Sequence, residues 1–323
     1  MGVNACIHDG WLYFTDFEGV EPEFLYYKLI TLKSFYESIA YGAAIQNINT
    51  ELVRNTEIEL PDREARLRIV AILSPYDALI EANQRRIKLL EESAQLLYRE
   101  WFVNFRFPDH ETTPMTDGVP KGWERGAAHE FVSVLSGGTP KTEYEHYWDG
   151  GIPFFTPKDC PDTFYVTDTE KTLTETGLES CNSRLFPKDT VFVTARGTVG
   201  KIALAQRPMA MNQSCYALVP KQDYDNLFLF LAMKDAVEHF KQVASGGVFS
   251  AIVVDTFKII PFVKPPSDLT NEFGRLVRPI FDQVETVLRL NTELMRARDM
   301  LLPKLMSGAL DVSRIAVPKE VEA

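Results

Sequence analysis

The residues of this chain that could do chemistry lie between positions 136 and 218, and they are cations, aromatics and amides rather than nucleophiles. The segment SGGTPKTEYEHYWDGGIPFFTPKD (136–159) opens on Gly137 and Gly138 and carries Lys141, Tyr147, Trp148 and Lys158, a mixture suited to gripping a phosphate backbone. In TARGTVGKIALA (194–205), Arg196 and Lys201 stand around two glycines, Gly197 among them, which let main chain approach a ligand closely. MNQSCYAL (211–218) begins a strand with Asn212 and Gln213, amide side chains of the kind that pair bidentately with adenine in the major groove, as Arg does with guanine. With Gly138 and Thr139 these form the candidate DNA contacts, more of them expected on phosphate than on base edges. Each has a structural alternative: the glycine pair as a hairpin turn, Trp148 as core, Asn212 and Gln213 as caps of backbone groups.

Catalytic patterns are missing. There is no phosphate-binding G-x-x-x-x-G-K-[ST] loop, no H-E-x-x-H, no G-x-G-x-x-G after a strand and no G-x-S-x-G elbow. TDTEK (167–171) has a faint likeness to a nuclease carboxylate cluster, but no organised second carboxylate accompanies it. His8, His110, His129, His146 and His239 lack metal-ligand spacing and read as surface or capping residues. Cys6, Cys160, Cys181 and Cys215 are far apart, which fits reduced thiols better than a disulfide or zinc framework.

The composition is that of an ordinary globular protein: 323 residues, 45% hydrophobic, 24% charged, net charge -11. The length suggests about two domains. No apolar run long enough to span a membrane and no signal-peptide pattern occurs, so a cytoplasmic protein is expected. An acidic chain is a poor nucleic-acid binder overall. The acidity is uneven, however: residues 1–119 hold 11 basic and 19 acidic side chains, and residues 120–265 hold 15 and 17. Within 184–207, Arg184, Lys188, Arg196, Lys201 and Arg207 face only Asp189, a basic island that is either a solvated surface paired with acids elsewhere in the fold or a ligand contact; if DNA is the ligand, a partner must supply much of the affinity.

These residues need elements to position them, and an internal repeat supplies the frame. At an offset of 204, residues 41–61 lie over 245–265, matching Gly42 to Gly246, Ile45 to Phe249, Ile48 to Ile252, Val53 to Phe257 and Pro61 to Pro265. Upstream, 22–40 resembles 224–244 as an amphipathic helix with an aromatic first turn. GVNACI (2–7) aligns with NQSCYA (212–217), so the first sixty residues are expected to be the C-terminal part of a domain whose complete copy is 121–265. After each copy comes a helix with alternating four- and three-residue apolar spacing. The first seam is Ile69, Leu73, Tyr76, Ile80, Asn83, Ile87, Leu90, Ala94, Leu97 and Trp101. Adding 208 gives Val277, Phe281, Val284, Leu288, Asn291, Met295, Arg298, Leu302 and Leu305. Both seams carry an Asn at the same point, as register-setting polar residues do. Ile80, Asn83, Ile87, Leu90, Leu288, Asn291 and Met295 are the expected pairing residues; two helices packed on a globular core is the alternative. Pro75 is either the first residue of a helix or a kink inside one that began near Asp62, and Pro279 raises the same question.

The expected fold class is therefore α+β: a mixed α/β domain plus two long helices pairing as an antiparallel coiled coil. The boundaries are 1–60, a helix over 61–107, a linker at 108–120, the complete domain at 121–265, a helix over 266–308 and a tail at 309–323. Expected strands are Phe131–Leu135, Ile152–Phe155, Val191–Val193, Ile202–Ala205 and Cys215–Val219, followed by a helix over 225–242.

In this order of parts the chain resembles the specificity subunit of type I restriction-modification enzymes. GGTPKTEYEHYWDGGIPFFTPKD, TARGTVGKIAL followed by NQSCYAL, RIVAILSPYDALIEANQRRIKLLEESAQLLYREWF and LLPKLMSGAL carry the likeness, which covers nearly the whole chain. The resemblance implies that 121–265 is a target recognition domain reading half of a bipartite site in double-stranded DNA, and that the helices serve as a spacer. It implies too that methyltransferase subunits dock on this scaffold, with restriction subunits joining through the complex. Partner subunits would supply S-adenosylmethionine, ATP and Mg chemistry, and this chain would hold no cofactor and catalyse nothing. The departure from the pattern is the shortened first recognition domain, which puts two-site reading by a monomer in doubt; a homodimer, if formed, would read a symmetric pair. The competing classes are an interaction scaffold that binds methyltransferase without reading DNA, and a DNA-cleaving enzyme with a fused recognition domain.

Overall fold

The computed structural model describes residues 12–39, 48–243 and 252–315. The Gly42/Gly246 and Ile45/Phe249 matches, the GVNACI segment, Cys6 and His8 lie outside the described residues. The chain divides into two compact units, 1–82 with 291–323, and 83–290.

In the first unit, α1 (Pro22–Thr31) starts with proline, whose fixed φ suits the first helical turn, and is followed by α2 (Lys33–Ile39) and α3 (Thr50–Arg54). The Asn49 side chain caps α3, accepting from the Leu52 N–H at 2.7 Å. The Asp62 carboxylate accepts from the Ala65 N–H at 2.8 Å and so caps α4 (Arg63–Tyr98), a helix that contains Pro75. Of the two readings of Pro75, the longer helix is the one adopted. Phe24 and Tyr27 pack on Ile69, Val70 and Leu73 of α4 and on Leu302 and Leu305 near the end of α8 (Ser267–Met306), which also contains Pro279 and Pro303. Arg66 is buried, and its guanidinium donates to Glu21, at 2.7 Å, and to the carbonyls of Pro61 and Gly19. Arg298, the one charge in either expected seam, pairs with Asp77 at 2.5 Å, and the Tyr27 hydroxyl donates to the same carboxylate. The buried Asn291 donates through Nδ2 to the Ile80 carbonyl at 3.3 Å.

The second unit carries the sheets. Its linker contains a hairpin of β1 (Met115–Thr116) and β2 (Val119–Pro120), turned by Asp117 and Gly118 at φ 50° and 75°, the left-handed pair of a two-residue turn. β3 (Glu124–Ala127) leads into a short helix α5 (Ala128–Phe131) and β4 (Val132–Ser136). Phe131, expected to begin the strand, instead ends that helix, because the Glu130 carboxylate accepts from the Ala127 N–H and closes a turn there. β5 (Trp148–Phe155) starts four residues before the expected strand, across a bulge where a Cβ on Gly150 would stand 2.3 Å from the Leu173 carbonyl oxygen. β6 (Tyr165–Val166), β7 (Lys171–Leu173), α6 (Glu175–Glu179), β8 (Val191–Thr194), β9 (Ile202–Ala205), β10 (Ala210–Met211), β11 (Cys215–Pro220), α7 (Asn226–Val243) and β12 (Pro261–Lys264) follow.

A five-stranded sheet has the order β4-β11-β8-β9-β6, antiparallel except for β6 with β9. β8 and β9 are buried on both faces, and alternate residues enter two cores. Val191, Val193, Ile202 and Leu204 face α7 and α8 through Leu227, Phe230 and Phe281; Phe192, Ala203 and Ala205 face Phe155, Met209 and Met211. Beyond that second core lies a three-stranded sheet, β10-β5-β7. β12 pairs with β3, Lys264 opposite Glu124, which brings the two ends of the segment 121–265 together. α8 is tied to the sheet edge by Arg278 on Asp189 (2.7 Å), which also accepts the Tyr165 hydroxyl, and by Glu285 on Lys188 and Gln206.

In this unit Ile87, Ala94 and Tyr98 of α4 share one core with Phe273, Val277, Phe281 and Val284 of α8. Arg86 donates to Gln283 at 3.1 Å, and the Tyr98 ring lies 6.4 Å from Phe273. In both units positions rise along α4 as they fall along α8, so the helices pair antiparallel. Ile80, Asn83, Ile87 and Asn291 are buried, Leu90 and Leu288 half-buried. Met295 is 38% exposed and leaves the seam; at 3.6 residues per turn the inward position falls between 294 and 295, and Leu294 is the half-buried one. Glu91, absent from the seam, is buried: its carboxylate accepts from the Phe164 N–H at 2.6 Å. Burial raises its pKa to about 7, against the pull of that N–H and of Lys234.

The repeat persists in the elements. α1, α3 and α4 start at 22, 50 and 63, and α7, the 3₁₀ turn Val254–Lys258 and α8 start at 226, 254 and 267, each 204 residues later.

Candidate nucleic-acid interface

The parallel pair β5 and β10 ends at one place: Met211 stands opposite Phe155, and the Asn212 N–H donates to the Phe155 carbonyl at 3.0 Å. The chain leaves β5 through a 3₁₀ turn, Pro157–Asp159, held by the Asp159 carboxylate on the Thr156 N–H and hydroxyl (2.8 and 2.7 Å). The other oxygen of Asp159 accepts from the Glu170 N–H at 2.7 Å, so one acid brackets the residues after β5 to those before β7. The loop after β8 is pinned on both sides, the Ala195 N–H to the Ser214 carbonyl (2.8 Å) and the Thr198 hydroxyl to the Pro157 carbonyl (3.1 Å). Its turn needs Gly197, at φ 78°. The glycine pair is a packing requirement: a Cβ on Gly137 would lie 2.2 Å from the Met211 carbonyl oxygen, and one on Gly138 would lie 2.7 Å from the Asn182 nitrogen.

These strand ends and loops enclose a cleft of about 410 Å³. Of the eleven candidate contacts, Thr139, Trp148, Lys158, Arg196, Gly197 and Asn212 line it. The Trp148 ring is half-buried against Phe154, with centroids 5.5 Å apart, and Lys171 Nζ lies 5.2 Å from its centroid. Lys158, Lys171 and Arg196 have no carboxylate within ion-pair distance among the described residues. Three other members of the basic island are paired: Lys188 with Glu285, Lys201 with Asp162 at 2.6 Å, and Arg207 with Asp168 at 3.5 Å.

Five candidates lie elsewhere. Lys201 opens on a separate cavity with Asp162, Lys234 and Glu238, because its backbone is fixed to the Thr194 hydroxyl and its side chain is drawn to Asp162. That pairing holds the Asp162 carboxyl below its ordinary range and raises Lys201. Lys141 stands at 3.8 Å from Glu143 and 5.7 Å from the Tyr144 ring, and Tyr147 packs on Tyr144 and His146. Gly138 is buried against Asn182 and Ser183. Gln213 is exposed, and its Oε1 accepts from the Thr139 hydroxyl. Asn212 Oδ1 accepts from the Ser214 N–H at 3.0 Å. The Asn212 oxygen thus satisfies a backbone group and the Gln213 oxygen a side-chain hydroxyl, each with one lone pair left over.

Sequence reasoning missed Thr142, Thr156, Glu170, Lys171 and Ser214, which also line the cleft. Lys171 comes there through β7, where it faces Phe154; a three-residue strand leaves too short an alternation to read. In the sequence, TDTEK shows only a faint carboxylate-cluster likeness with Glu170 and Lys171 adjacent. Among the described residues no three His, Cys, Asp or Glu side chains gather as a metal site, and no helix is long and apolar enough to cross a membrane.

Fold and cleft together define a mixed α/β domain borne on paired antiparallel helices, with a cationic, aromatic-walled surface at the ends of its strands. A sequence profile described as the type I restriction modification DNA specificity domain matches residues 6–92 and 120–294, and the chain belongs to that family. It is 23% identical to the type I restriction enzyme HindI specificity subunit of Haemophilus influenzae, over 90% of this chain and 78% of that one. It is 27% identical to the MjaIX specificity subunit of Methanocaldococcus jannaschii, over 59% of this chain and 45% of that one. Among solved structures, the type I restriction-modification S subunit from M. genitalium is similar in fold, with a TM-score of 0.57 over 88% of this chain and 72% of that one, at 19% identity.

Proposed function

We propose that this chain is the DNA-reading and scaffolding subunit of a type I restriction-modification complex, without catalytic chemistry of its own. The 121–265 domain reads one half of a bipartite duplex site through the 139–214 cleft. Methyltransferase subunits dock on the scaffold and bring S-adenosylmethionine; restriction subunits join through them and bring ATP and Mg. The observation that carries the reading is that Lys158, Lys171 and Arg196 converge without acid partners around Trp148. Three cations without acid partners, gathered in one aromatic-walled cleft, point to an anionic ligand. Membership of a DNA specificity family supports duplex DNA as that ligand.

The test is to combine the chain with the methyltransferase encoded beside it and S-adenosylmethionine, then map methylated bases on a plasmid by single-molecule sequencing. A defined motif is expected. No motif, with a stable complex still formed on a sizing column, would leave a scaffold that does not read DNA.

A further inference from the structure

The donors and acceptors around the cleft are unequal. Lys158, Lys171 and Arg196 only donate. Asn212 has its oxygen on the Ser214 N–H, and Gln213 has its oxygen on the Thr139 hydroxyl. Against this stands one charged acceptor, Glu170, which lines the same cleft, is exposed, and has no cation within ion-pair distance among the described residues. Its backbone is not loose, because the Asp159 bracket holds its N–H at 2.7 Å while gripping Thr156.

A lone carboxylate is the wrong group for a phosphate backbone, which it repels. It is the right group for an exocyclic amine. In the major groove cytosine presents its N4 amine as a donor, whereas adenine's amine lies beside the N7 acceptor and calls for a group that donates and accepts at once. The guanine across from cytosine shows only the acceptors N7 and O6, which match the donor that the Asn212 amide supplies.

The geometry points to a G·C pair as the base pair this cleft selects, with Glu170 accepting from the cytosine N4 amine. This rests on the DNA reading proposed above and adds the residue that discriminates. Glu170 is a specificity determinant; Lys158 is a backbone contact that weighs equally on every sequence.

The full chain, together with its methyltransferase, is used to select duplexes from a random library, as wild type, Glu170→Gln, Glu170→Ala and Lys158→Ala. Only the backbone of Glu170 is engaged, so its variants keep the fold, which circular dichroism checks. The wild type should select a motif with one cytosine whose preference falls about tenfold to a hundredfold in both Glu170 variants, the other positions being unchanged. Lys158→Ala should weaken all sequences alike. A motif that is the same in wild type and Glu170 variants, or uniform weakening by them, overturns the assignment while leaving DNA reading intact. A wild type that selects no motif overturns the reading on which it rests, and the assignment with it.

Discussion

Arg196 and Lys201 flank one glycine loop, yet only Arg196 lacks a carboxylate partner. Arg196→Ala should therefore weaken DNA binding and flatten the dependence of log affinity on log salt by about 0.9, the share of one neutralised phosphate. Lys201→Ala should change neither appreciably; equal losses in the two variants, measured by fluorescence anisotropy across a salt series, would refute this division. Glu91 gives a prediction of another kind. Its carboxyl, ordinarily near 4.5, titrates in the fold at about 7, so between those values the folded chain holds a proton that the unfolded chain has released. The associated stability is fully present below about 4.5 and declines as pH rises to about 7. Glu91→Gln, which keeps the acceptor for Phe164, should remove that slope and stabilise the chain at pH 8 by on the order of 1–3 kcal/mol. Denaturant midpoints showing the same slope in both chains would exclude Glu91 as its source. At this scale the sequence disclosed residue types but not partners: Arg196 and Lys201 looked equivalent until Asp162, 39 residues before Lys201, was seen to claim one of them.

At the scale of elements, the buried Leu73 joins α4 to Phe24, Tyr27 and Leu302, and Leu73→Ala should cost about 2–5 kcal/mol in thermal or denaturant unfolding. A change below 0.5 kcal/mol would mean this core is not a cooperative part of the fold. A leucine at Asn83 or Asn291 should raise helix stability and loosen register, because a seam asparagine exchanges stability for a fixed alignment. Disulfide trapping between cysteines placed at 86 and 283 reads this: one dominant crosslink in the parent, several registers in the leucine variant when neighbouring positions are tried. Loss of helix pairing in that variant would count against the seam. The long helices were legible because ten heptad positions from Ile69 to Trp101 repeat a single spacing. Where they met the domain they were not, since the π-helical turn Arg99–Val103 breaks that spacing to seat Phe102 against Phe228 and Phe273. The strands β8, β9 and β11 were legible as short apolar runs between turn residues. β7 and β10 were not, for two or three residues carry no period, and only pairing with β5 defines them.

For the whole molecule the acidic balance has a direct consequence. With Lys188, Lys201 and Arg207 already matched by acids, the chain alone should bind DNA weakly and with shallow salt dependence, and addition of the methyltransferase subunit should raise affinity at fixed salt by tenfold or more. Titration of a labelled duplex with and without that subunit checks this; equal affinities would place the whole reading surface in this chain. The repeat was legible in the sequence as a thin set of matches and stands in the structure as three pairs of element starts with one spacing. Its further meaning is genetic. A crossover between equivalent codons of the two copies, at Asp62 and Pro266 for instance, shortens or lengthens the product by 204 residues and keeps the reading frame. Each join falls where a turn already hands over to the start of a long helix, so the gain or loss of a whole reading domain would need no new junction.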